Sequence, residues 1–348
     1  MQVDHTRGYI RTLRYVIQLA FLLFTLFIGY RFQQFVLHFE NPSYPFFERP
    51  SSVDAFLPIS GLMALKYFLF TGMVDPIHPA GLIFFASAIG ISIAMKKGFC
   101  GWICPVGTIS QFFWKIGEKI LGKTFRFGKL ADTSLRSLKY ILMSFFIVAI
   151  GVIMPLNLIV LFFITDYYKV VDVRMLKFFT EMSPTTFWVL VTLGGLSLVY
   201  KNFWCRFLCP YGALLGLLSY LSPLKIRRNE ARCIHCHSCT SNCPALIDVE
   251  KQDAVKSPEC FACMTCVSHC PSQGAIDMTI AIRKTTGALR PYLFPVVLLL
   301  IFSLMIGMGM ATGKWHSQLP YEEYKRIIPE LSKRDGKTSA APGETGER

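Results

Sequence analysis

The cysteines are the residues of this sequence best suited to chemistry, and all twelve fall in short clusters. The densest region, residues 232–271, contains "CIHCHSCTSNCP" and then "CFACMTCVSHCP". Both segments follow the pattern Cys-x2-Cys-x2-Cys-x3-Cys-Pro, the ligand spacing of bacterial proteins that hold a pair of 4Fe–4S clusters. The sequence therefore predicts two 4Fe–4S clusters in this region.

The spacing also predicts which cysteines share a cluster. The first three thiolates of a motif reach three corners of one cluster, and the fourth ligates the other cluster. The predicted sets are Cys233, Cys236, Cys239 and Cys270 for cluster 1, and Cys260, Cys263, Cys266 and Cys243 for cluster 2. Two zinc sites are the alternative, but zinc sites do not require the two prolines. Because every iron would already have its four ligands, the pattern favours electron relay over substrate activation.

Four further cysteines occur in a different pattern, Cys-x3-Cys-Pro-x-Gly. The segments are "FCGWICPVG" at 99–107 and "WCRFLCPYG" at 204–212, and each follows an apolar stretch and precedes another helical segment. This likeness indicates an internal duplication, and such repeats place equivalent groups near one another about a pseudo-twofold axis. Three interpretations of Cys100, Cys104, Cys205 and Cys209 remain open: a third metal or iron–sulfur centre, a redox-active dithiol or transient metal-ion site, and packing of small buried side chains.

The composition is that of a membrane protein, with 53% hydrophobic and 17% charged residues. A membrane helix needs about 20 mostly apolar residues. Five stretches are apolar enough to be predicted as spans: 15–37, 79–95, 138–163, 183–200 and 291–312. A sixth stretch, 56–72, is shorter and carries Lys66, which is more typical of a re-entrant segment.

The basic residues predict the orientation, because cytoplasmic loops are enriched in Lys and Arg. Residues 96–139 carry nine basic against two acidic residues, and 223–290 carry nine against six. The alternate loops are not enriched: 40–77 has two against four, and 164–182 has three of each. We therefore expect the N-terminus and both basic loops in the cytoplasm. The net charge of +14 is explained in this way without nucleic-acid binding, and no nucleic-acid partner is predicted.

The predicted fold is an all-α polytopic membrane protein, with about five transmembrane helices, a re-entrant segment and an inserted small α+β two-cluster ferredoxin domain. The predicted domains are 1–222 in the membrane, 223–285 as a cytoplasmic ferredoxin domain, 286–313 as the last transmembrane helix and 314–348 as a periplasmic tail. Both Cys-x3-Cys-Pro segments would then lie at the cytoplasmic membrane surface, in the inner membrane of a prokaryote.

A few polar residues fall in or beside apolar segments on the predicted outer side. Arg31, Lys66, Asp75 and His78 are a candidate quinol site, with Asp75 or His78 accepting the proton. The alternative is that Arg31 and Lys66 extend to the lipid–water interface and that Asp75 forms a turn with the proline after it. Both interpretations remain open.

The set of cysteine motifs resembles the NapH family, the membrane ferredoxin subunit of periplasmic nitrate reduction. The same core is similar to the membrane half of the NosR regulator and to the CcoG assembly factor, over residues 79–278. A NosR-type flavin-attachment domain and a CcoG-type immunoglobulin-like domain are not expected here. The resemblance thus implies a stand-alone membrane polyferredoxin that passes electrons to a redox partner, with no catalytic residue of its own.

Three hypotheses for the function follow. The first is an electron-transfer subunit of a respiratory complex, between a quinol or cytoplasmic donor and a cytochrome c or another oxidoreductase subunit. The second is an assembly factor that reduces copper or another metal ion at the Cys-x3-Cys-Pro cysteines. The third is a redox sensor or a structural anchor. Quinone and membrane lipid are the expected small partners.

Overall fold

The computed structural model describes residues 5–280 and 290–339 and is mostly helical. The elements are α1 (His5–Glu40), α2 (Pro58–Thr71), α3 (Pro79–Met95), α4 (Gly98–Trp102), α5 (Pro105–Leu121), α6 (Lys129–Phe146), α7 (Leu156–Phe163), α8 (Asp166–Lys169), α9 (Val171–Thr180), α10 (Pro184–Val199), α11 (Pro210–Leu218), β1 (Leu224–Arg228), α12 (Ser238–Ser241), α13 (Thr265–Ser268), β2 (Ile276–Ile280), α14 (Leu293–Ala311) and α15 (Tyr321–Ser339). A 3₁₀ turn, Ser51–Phe56, precedes α2, and a π-helical turn, Ile147–Ile153, continues α6.

The described residues contain three helices long and apolar enough to cross a membrane. They are Gly8–Glu40, Lys129–Ile153 and Leu293–Ala311. The pair Val171–Thr180 and Pro184–Val199, bent by 77°, makes a fourth if it is counted as one broken span. Helix α3 is apolar but has only 17 residues. The count of five spans and one re-entrant segment therefore stays a prediction.

The prediction of one continuous span over 138–163 is wrong. The helix ends after the π-helical turn, where Met154 is extended (φ −77°, ψ 108°), and α7 begins after Pro155. Proline disfavours a helical conformation in the residue before it and supplies no N–H for a helical hydrogen bond. Lys66 compensates for this break, because its Nζ donates to the carbonyls of Ile150, Gly151 and Met154 at 2.9, 3.1 and 2.6 Å.

Helix α1 connects the two ends of the molecule. Near its start, Arg14 donates to Thr265 Oγ1 of the cysteine-rich segment at 3.2 Å. Near its end, the Phe35 ring packs edge-on against Tyr324 of α15 at 5.2 Å between centroids. At about 1.5 Å per residue, Arg14 and Phe35 are about 32 Å apart along the helix, close to the thickness of a bilayer's hydrocarbon core. The cysteine-rich segment and the C-terminal helix therefore lie at opposite ends of α1.

The cysteine-rich segment lies between α11 and α14. Its ends meet in a two-stranded antiparallel sheet, in which Leu224 of β1 pairs with Ile280 of β2 and Arg228 pairs with Ile276. Between the strands lie the two cysteine motifs and the one-turn helices α12 and α13. The predicted boundary between residues 285 and 286 falls outside the described residues, as does the end of the tail.

Candidate metal centres

The two four-cysteine motifs adopt the same backbone conformation. In the first motif, His235 and His237 have positive φ (53° and 57°), and in the second, Ala262 and Met264 do (49° and 59°). These residues stand two and four positions after the first cysteine of each motif. Positive φ is uncommon for non-glycine residues, so its recurrence at equivalent positions shows that the two loops are wound in the same way.

Each predicted ligand set lines a single cavity. Cys233, Cys236, Cys239 and Cys270 line the first, here called cavity 1. Cys243, Cys260, Cys263 and Cys266 line the second, here called cavity 2. The fourth cysteine of each motif thus lies with the first three cysteines of the other motif, an arrangement in which the two motifs complete each other's sites.

The spacing of the sulfurs suits a cluster better than a single ion. Among the described residues, only Asp54, His78 and Asp172 bring three Cys, His, Asp or Glu ligand atoms within 4.8 Å of one another. Around one zinc ion, sulfurs about 2.3 Å from the metal would be about 3.8 Å apart. Burial, followed by the nearby thiol of Cys263, raises the pKa of Cys243 to about 12. A thiol in such a place ionises readily only when a metal compensates its charge, so the donor set and its spacing fit a 4Fe–4S cluster in each cavity.

The two cavities differ in their surroundings. Beside cavity 1, Cys236 is exposed and Ile234 is 61% exposed. Beside cavity 2, Phe261 and Ala262 are buried against the membrane part of the chain, and Trp102 Nε1 donates to the Ala262 carbonyl at 3.0 Å. Cavity 1 therefore faces solvent, and cavity 2 faces the helices.

The Cys-x3-Cys-Pro segments form two matching turns at the ends of α3 and α10. Cys104 is the N-cap of α5, and Cys209 is the N-cap of α11, with a proline as the first helical residue in both. The Cys209 Sγ accepts a hydrogen bond from Gly212 N at 3.2 Å, and the backbone N–H of Gly107 bonds to Cys104. Two helix N-termini, which carry partial positive charge, thus point at these cysteines.

The structure brings the four cysteines of the two turns together. The Cys205 thiol interacts electrostatically with Cys100, Cys104 and Cys209, and Cys100 in turn interacts with Cys104 and Cys209. We call these four residues the lip quartet. It unites one pair of sulfurs from each repeat, as the pseudo-twofold duplication predicts.

Both repeats also contact the walls of cavity 2. A Cβ added to Gly101 would lie 2.4 Å from the Phe261 carbonyl oxygen, so the first turn is in close backbone contact with the second motif. In the second turn, Asn202 Nδ2 donates to the Pro244 carbonyl at 3.1 Å, and Arg206 Nη1 donates to the Ala245 carbonyl at 2.5 Å. The lip quartet is therefore adjacent to cavity 2.

Buried charged side chains fix this junction. Arg14 of α1 donates to the Gly101 carbonyl at 2.9 Å and to Gln111 Oε1 at 2.5 Å. Lys139 Nζ donates to both carboxylate oxygens of Glu259 at 2.6 and 2.7 Å. The Arg14 contacts join α1 to α4 and α5, and the Lys139 contact joins α6 to the loop that carries Cys260.

The predicted quinol-site residues separate into two groups. Asp75 and His78 lie in one buried network: Asp75 accepts from the Tyr168 hydroxyl, and His78 lies 3.0 Å from Asp54 Oδ1 through Nδ1 and 2.9 Å from the Tyr168 carbonyl through Nε2. Arg31 lies apart, over the Phe47 ring at 4.3 Å. Lys66 is also apart, bound to the end of the α6 π-helical turn as described above.

Arg49 is the centre of this outer network. Its guanidinium bonds to Asp54 Oδ1 at 2.5 Å and to Asp172 Oδ2 at 2.7 Å, so it fills the space between the two carboxylates. The trio of ligand atoms from Asp54, His78 and Asp172 is thus an ion-pair network with Arg49 in the place of a metal ion. Burial would raise the pKa of Asp54, but Arg49 and His78 hold it below its ordinary value.

Several residues of these sites were not predicted from the sequence. They are Arg49, Asp54, Lys97, Arg14, Tyr168 and Asp172. The one signal for Lys97 was its position, two residues before the apolar segment that contains Cys100, where it was counted only as a topology charge. No sequence signal connects Arg49 with Asp172, because they are 123 residues apart.

Family models match the cysteine segments of the chain. A 4Fe–4S binding domain matches twice, at residues 77–124 and 183–229, which are the two repeats that carry the lip quartet. A 4Fe–4S dicluster domain matches residues 225–271, which carry the other eight cysteines. Together with the apolar helices, these matches define a membrane-bound, ferredoxin-type iron–sulfur protein.

Curated relatives agree with this class. The putative electron transport protein YccM of Escherichia coli is 41% identical over 323 residues, which cover 92% of this chain and 90% of the relative. NirI of Paracoccus denitrificans is 26% identical over 50% of this chain and 24% of its own length, and the ferredoxin-type protein NapH of Haemophilus influenzae is 24% identical over 48% and 53%. No solved structure matches the chain. The chain belongs to the NapH-type membrane polyferredoxin family of iron–sulfur electron transport proteins.

Proposed function

We propose that this protein relays single electrons between a donor, either quinol or a cytoplasmic reductant, and a membrane or periplasmic redox partner, as a subunit of a respiratory complex. One observation carries the proposal: the two four-cysteine cavities are ordered from solvent towards the membrane, with the lip quartet next to the inner one. An order of this kind suits a relay and is not needed by a structural metal site.

The residues named above would hold the cofactors. Cys233, Cys236, Cys239 and Cys270 would bind one 4Fe–4S cluster, and Cys243, Cys260, Cys263 and Cys266 would bind the other. When bound, the clusters supply one-electron redox chemistry, with potentials set by net charge, hydrogen bonds and solvent exposure. The exposed surface beside Cys236 and Ile234 would contact a soluble partner, while Trp102 and Phe261 close cavity 2 against the membrane part.

We propose the lip quartet as a third iron–sulfur or metal centre. Its support is the meeting of four cysteines from two repeats, with two helix N-termini directed at them. A packing role explains the small side chains but not this convergence, because apolar packing needs neither two pairs of cysteines nor helix ends with partial positive charge.

The proposed orientation places the cysteine-rich segment on the cytoplasmic side of the inner membrane and α15 on the periplasmic side. Support comes from the basic loops at 96–139 and 223–290 and from the separation of the two ends along α1. The hydrocarbon core is about 30 Å thick, so a periplasmic acceptor would need a further carrier. A quinone or a haem subunit would supply this carrier.

The experiment that tests this proposal measures iron and acid-labile sulfide in the purified full-length protein and records EPR spectra before and after reduction. About twelve irons per chain, with three separable reduced signals, are expected. About eight irons would support the two ferredoxin clusters alone. Zinc in place of iron in the eight-cysteine segment would contradict the relay.

Two further measurements separate the alternatives. A respiratory subunit should co-purify with a cytochrome or an oxidoreductase subunit. A metal-reducing assembly factor should bind and reduce free copper by itself and lose this activity in a Cys100→Ser variant. A sensor should keep its partners and leave respiratory turnover unchanged when Cys239 is replaced by serine.

A further inference from the structure

Lys97 is a buried charged residue without a hydrogen-bond partner. It is only 1% exposed, and its Nζ atom makes no hydrogen bond. The other buried lysines near it are partnered: Lys96 Nζ donates to the Val255 carbonyl at 2.7 Å, and Lys139 pairs with Glu259. An unpaired buried ammonium group costs several kcal/mol, so its retention at this place requires a counter-charge.

The ammonium group lies between the lip quartet and cavity 2. Its Nζ would be 3.6 Å from a Cβ added at Gly212 and 3.7 Å from one added at Gly216, so it rests against two glycines of α11. It is also 5.2 Å from the centre of the Phe261 ring in the wall of cavity 2. Cys100, Cys104 and Cys205 all interact with it electrostatically.

The neighbouring protein groups only partly neutralise Lys97. Glu259 is the nearby carboxylate and attracts Lys97 electrostatically, but both of its oxygens accept hydrogen bonds from Lys139, so it is shared between two lysines. Gly212 lies in the first turn of α11, where the helix dipole is positive and disfavours a cation. The remaining counter-charges are cysteine thiols, which become anionic when they bind a metal. Lys97 acts most directly on Cys100 of the lip quartet and more weakly on Cys260 of cavity 2.

We propose that Lys97 is the counter-ion of the centre held by the lip quartet, and that its charge raises the reduction potential of that centre. This inference depends on the proposed third centre. A fixed buried cation favours the reduced form, because reduction adds one negative charge beside it in a medium of low dielectric constant. Lys97 touches neither a substrate nor a partner, so its role is to place a positive charge beside the centre.

The second repeat supplies no such cation. The residue three positions before Cys205 is Asn202, whereas the residue three positions before Cys100 is Lys97. Asn202 is neutral and donates to the Pro244 carbonyl. Of these two equivalent positions, only that of the first repeat therefore places a charge beside the lip quartet, on the side that faces Phe261. Lys139 of α6 is a weaker electrostatic partner of Cys100.

The test is a redox titration followed by EPR on the full-length protein, with Lys97→Met and Lys97→Arg variants. The signal of the lip centre is identified as the one that disappears in a Cys205→Ser variant. In Lys97→Met the iron content should stay unchanged, while the affinity of this centre for an electron falls at least tenfold, equivalent to a midpoint lower by about 59 mV for a one-electron couple. Lys97→Arg should restore most of the difference, since it keeps the charge.

Lys201→Met is the matched control. Lys201 is also buried, at the same end of the second repeat, but its electrostatic partners are Glu118, Arg126 and Cys243 and not the lip quartet. The Lys201→Met variant should therefore leave the midpoint potential of the lip centre unchanged. An unchanged midpoint in Lys97→Met, or an equal shift in Lys97→Met and Lys97→Arg, would overturn the inference while leaving the third centre intact. A wild-type protein with only eight irons would remove the third centre, and the role of Lys97 with it.

Discussion

The two Cys-x3-Cys-Pro repeats have the same conformation at their second cysteine and different neighbours. Cys104 and Cys209 are both extended N-caps, with φ and ψ of −61° and 119° in one repeat and −73° and 104° in the other. Around these turns the side chains diverge. The first repeat presents the backbone of Gly101 and the ring of Trp102 to the second motif, whereas the second repeat presents Arg206 to the end of the first motif.

This difference shows which features a shared site requires in both repeats and which it requires in only one. A centre shared between two repeats needs the same ligand turn in each, because both sulfur pairs must approach from a helix N-terminus. The surrounding residues need not match, since the cysteine-rich segment that covers the quartet has no matching twofold symmetry: one repeat meets Ala262, and the other meets Ala245. The asymmetry of the covering segment therefore accounts for a buried lysine beside the lip quartet in the first repeat only, whereas the buried Lys201 of the second repeat lies near Glu118.

The largest expected effect comes from removing one ligand of the lip quartet. Cys104→Ser and Cys209→Ser should each lower the iron content by about four per chain, and the double variant should lose no more than either single one. The reason is that one shared centre is lost completely when either repeat fails to bind it. Iron analysis of the purified variants, with EPR, measures this.

Cys233→Ser is the control for that experiment, because it alters cavity 1 only and should leave the lip signal present. Additive iron losses in the Cys104→Ser/Cys209→Ser double variant would contradict a shared centre. They would mean that each repeat binds its own ion.

The next largest effect is expected at Arg206 of the second repeat. Its guanidinium pairs with Asp132 at 2.8 Å and donates to the Ala245 carbonyl, and its side chain is 7% exposed. Arg206→Met should lower the free energy of unfolding by about 1.5–3 kcal/mol, because the Ala245 carbonyl loses its charged donor, whereas Asp132 keeps its pair with Arg136. Denaturant unfolding in detergent measures the change.

Arg136→Met is the matched control, because Arg136 also pairs with Asp132, at 2.9 Å, but is 32% exposed. Its expected cost is about 1 kcal/mol or less. Equal costs for the two variants would show that the contact of Arg206 with the cysteine-rich segment contributes nothing to stability.

The sequence predicted those parts of the molecule that depend on short-range sequence patterns. The eight-cysteine spacing predicted the sets that line the two cavities, and the repeated Cys-x3-Cys-Pro segments predicted the meeting of four sulfurs. It did not predict the break at Pro155, because hydropathy averages over a single proline. It did not predict the networks around Lys97 and Arg49 either, since the partners of both residues come from distant segments and depend on tertiary packing.

A smaller effect is expected where the first repeat touches the second motif. Gly101→Ala should cost about 1–3 kcal/mol of unfolding free energy, because its Cβ would collide with the Phe261 carbonyl oxygen and the loop would have to shift. The shift should also broaden the EPR signal of the cluster in cavity 2. Gly195→Ala is the control, since a Cβ there meets nothing within 4 Å and should leave stability unchanged or raised. A Gly101→Ala variant with unchanged stability and an unchanged EPR signal would contradict close contact at this junction.

The smallest effect is a pH dependence at the other end of α1, where the polar network has no cysteines. Burial would lower the pKa of His78, but the hydrogen bond and charge of Asp54 outweigh it and raise the pKa above its ordinary value. Both ring nitrogens face acceptors, Asp54 Oδ1 and the Tyr168 carbonyl, as suits a protonated ring.

A group with a raised pKa stabilises the fold fully below its unfolded pKa, about 6.5 for histidine, and loses this contribution as the pH rises through its folded value. The wild-type protein should therefore become less stable relative to His78→Gln as the pH rises above about 6.5. Thermal unfolding in detergent from pH 6 to 9 measures the difference between the two profiles. Parallel profiles would contradict the raised pKa of His78, because they would show that folding does not change its protonation in this range.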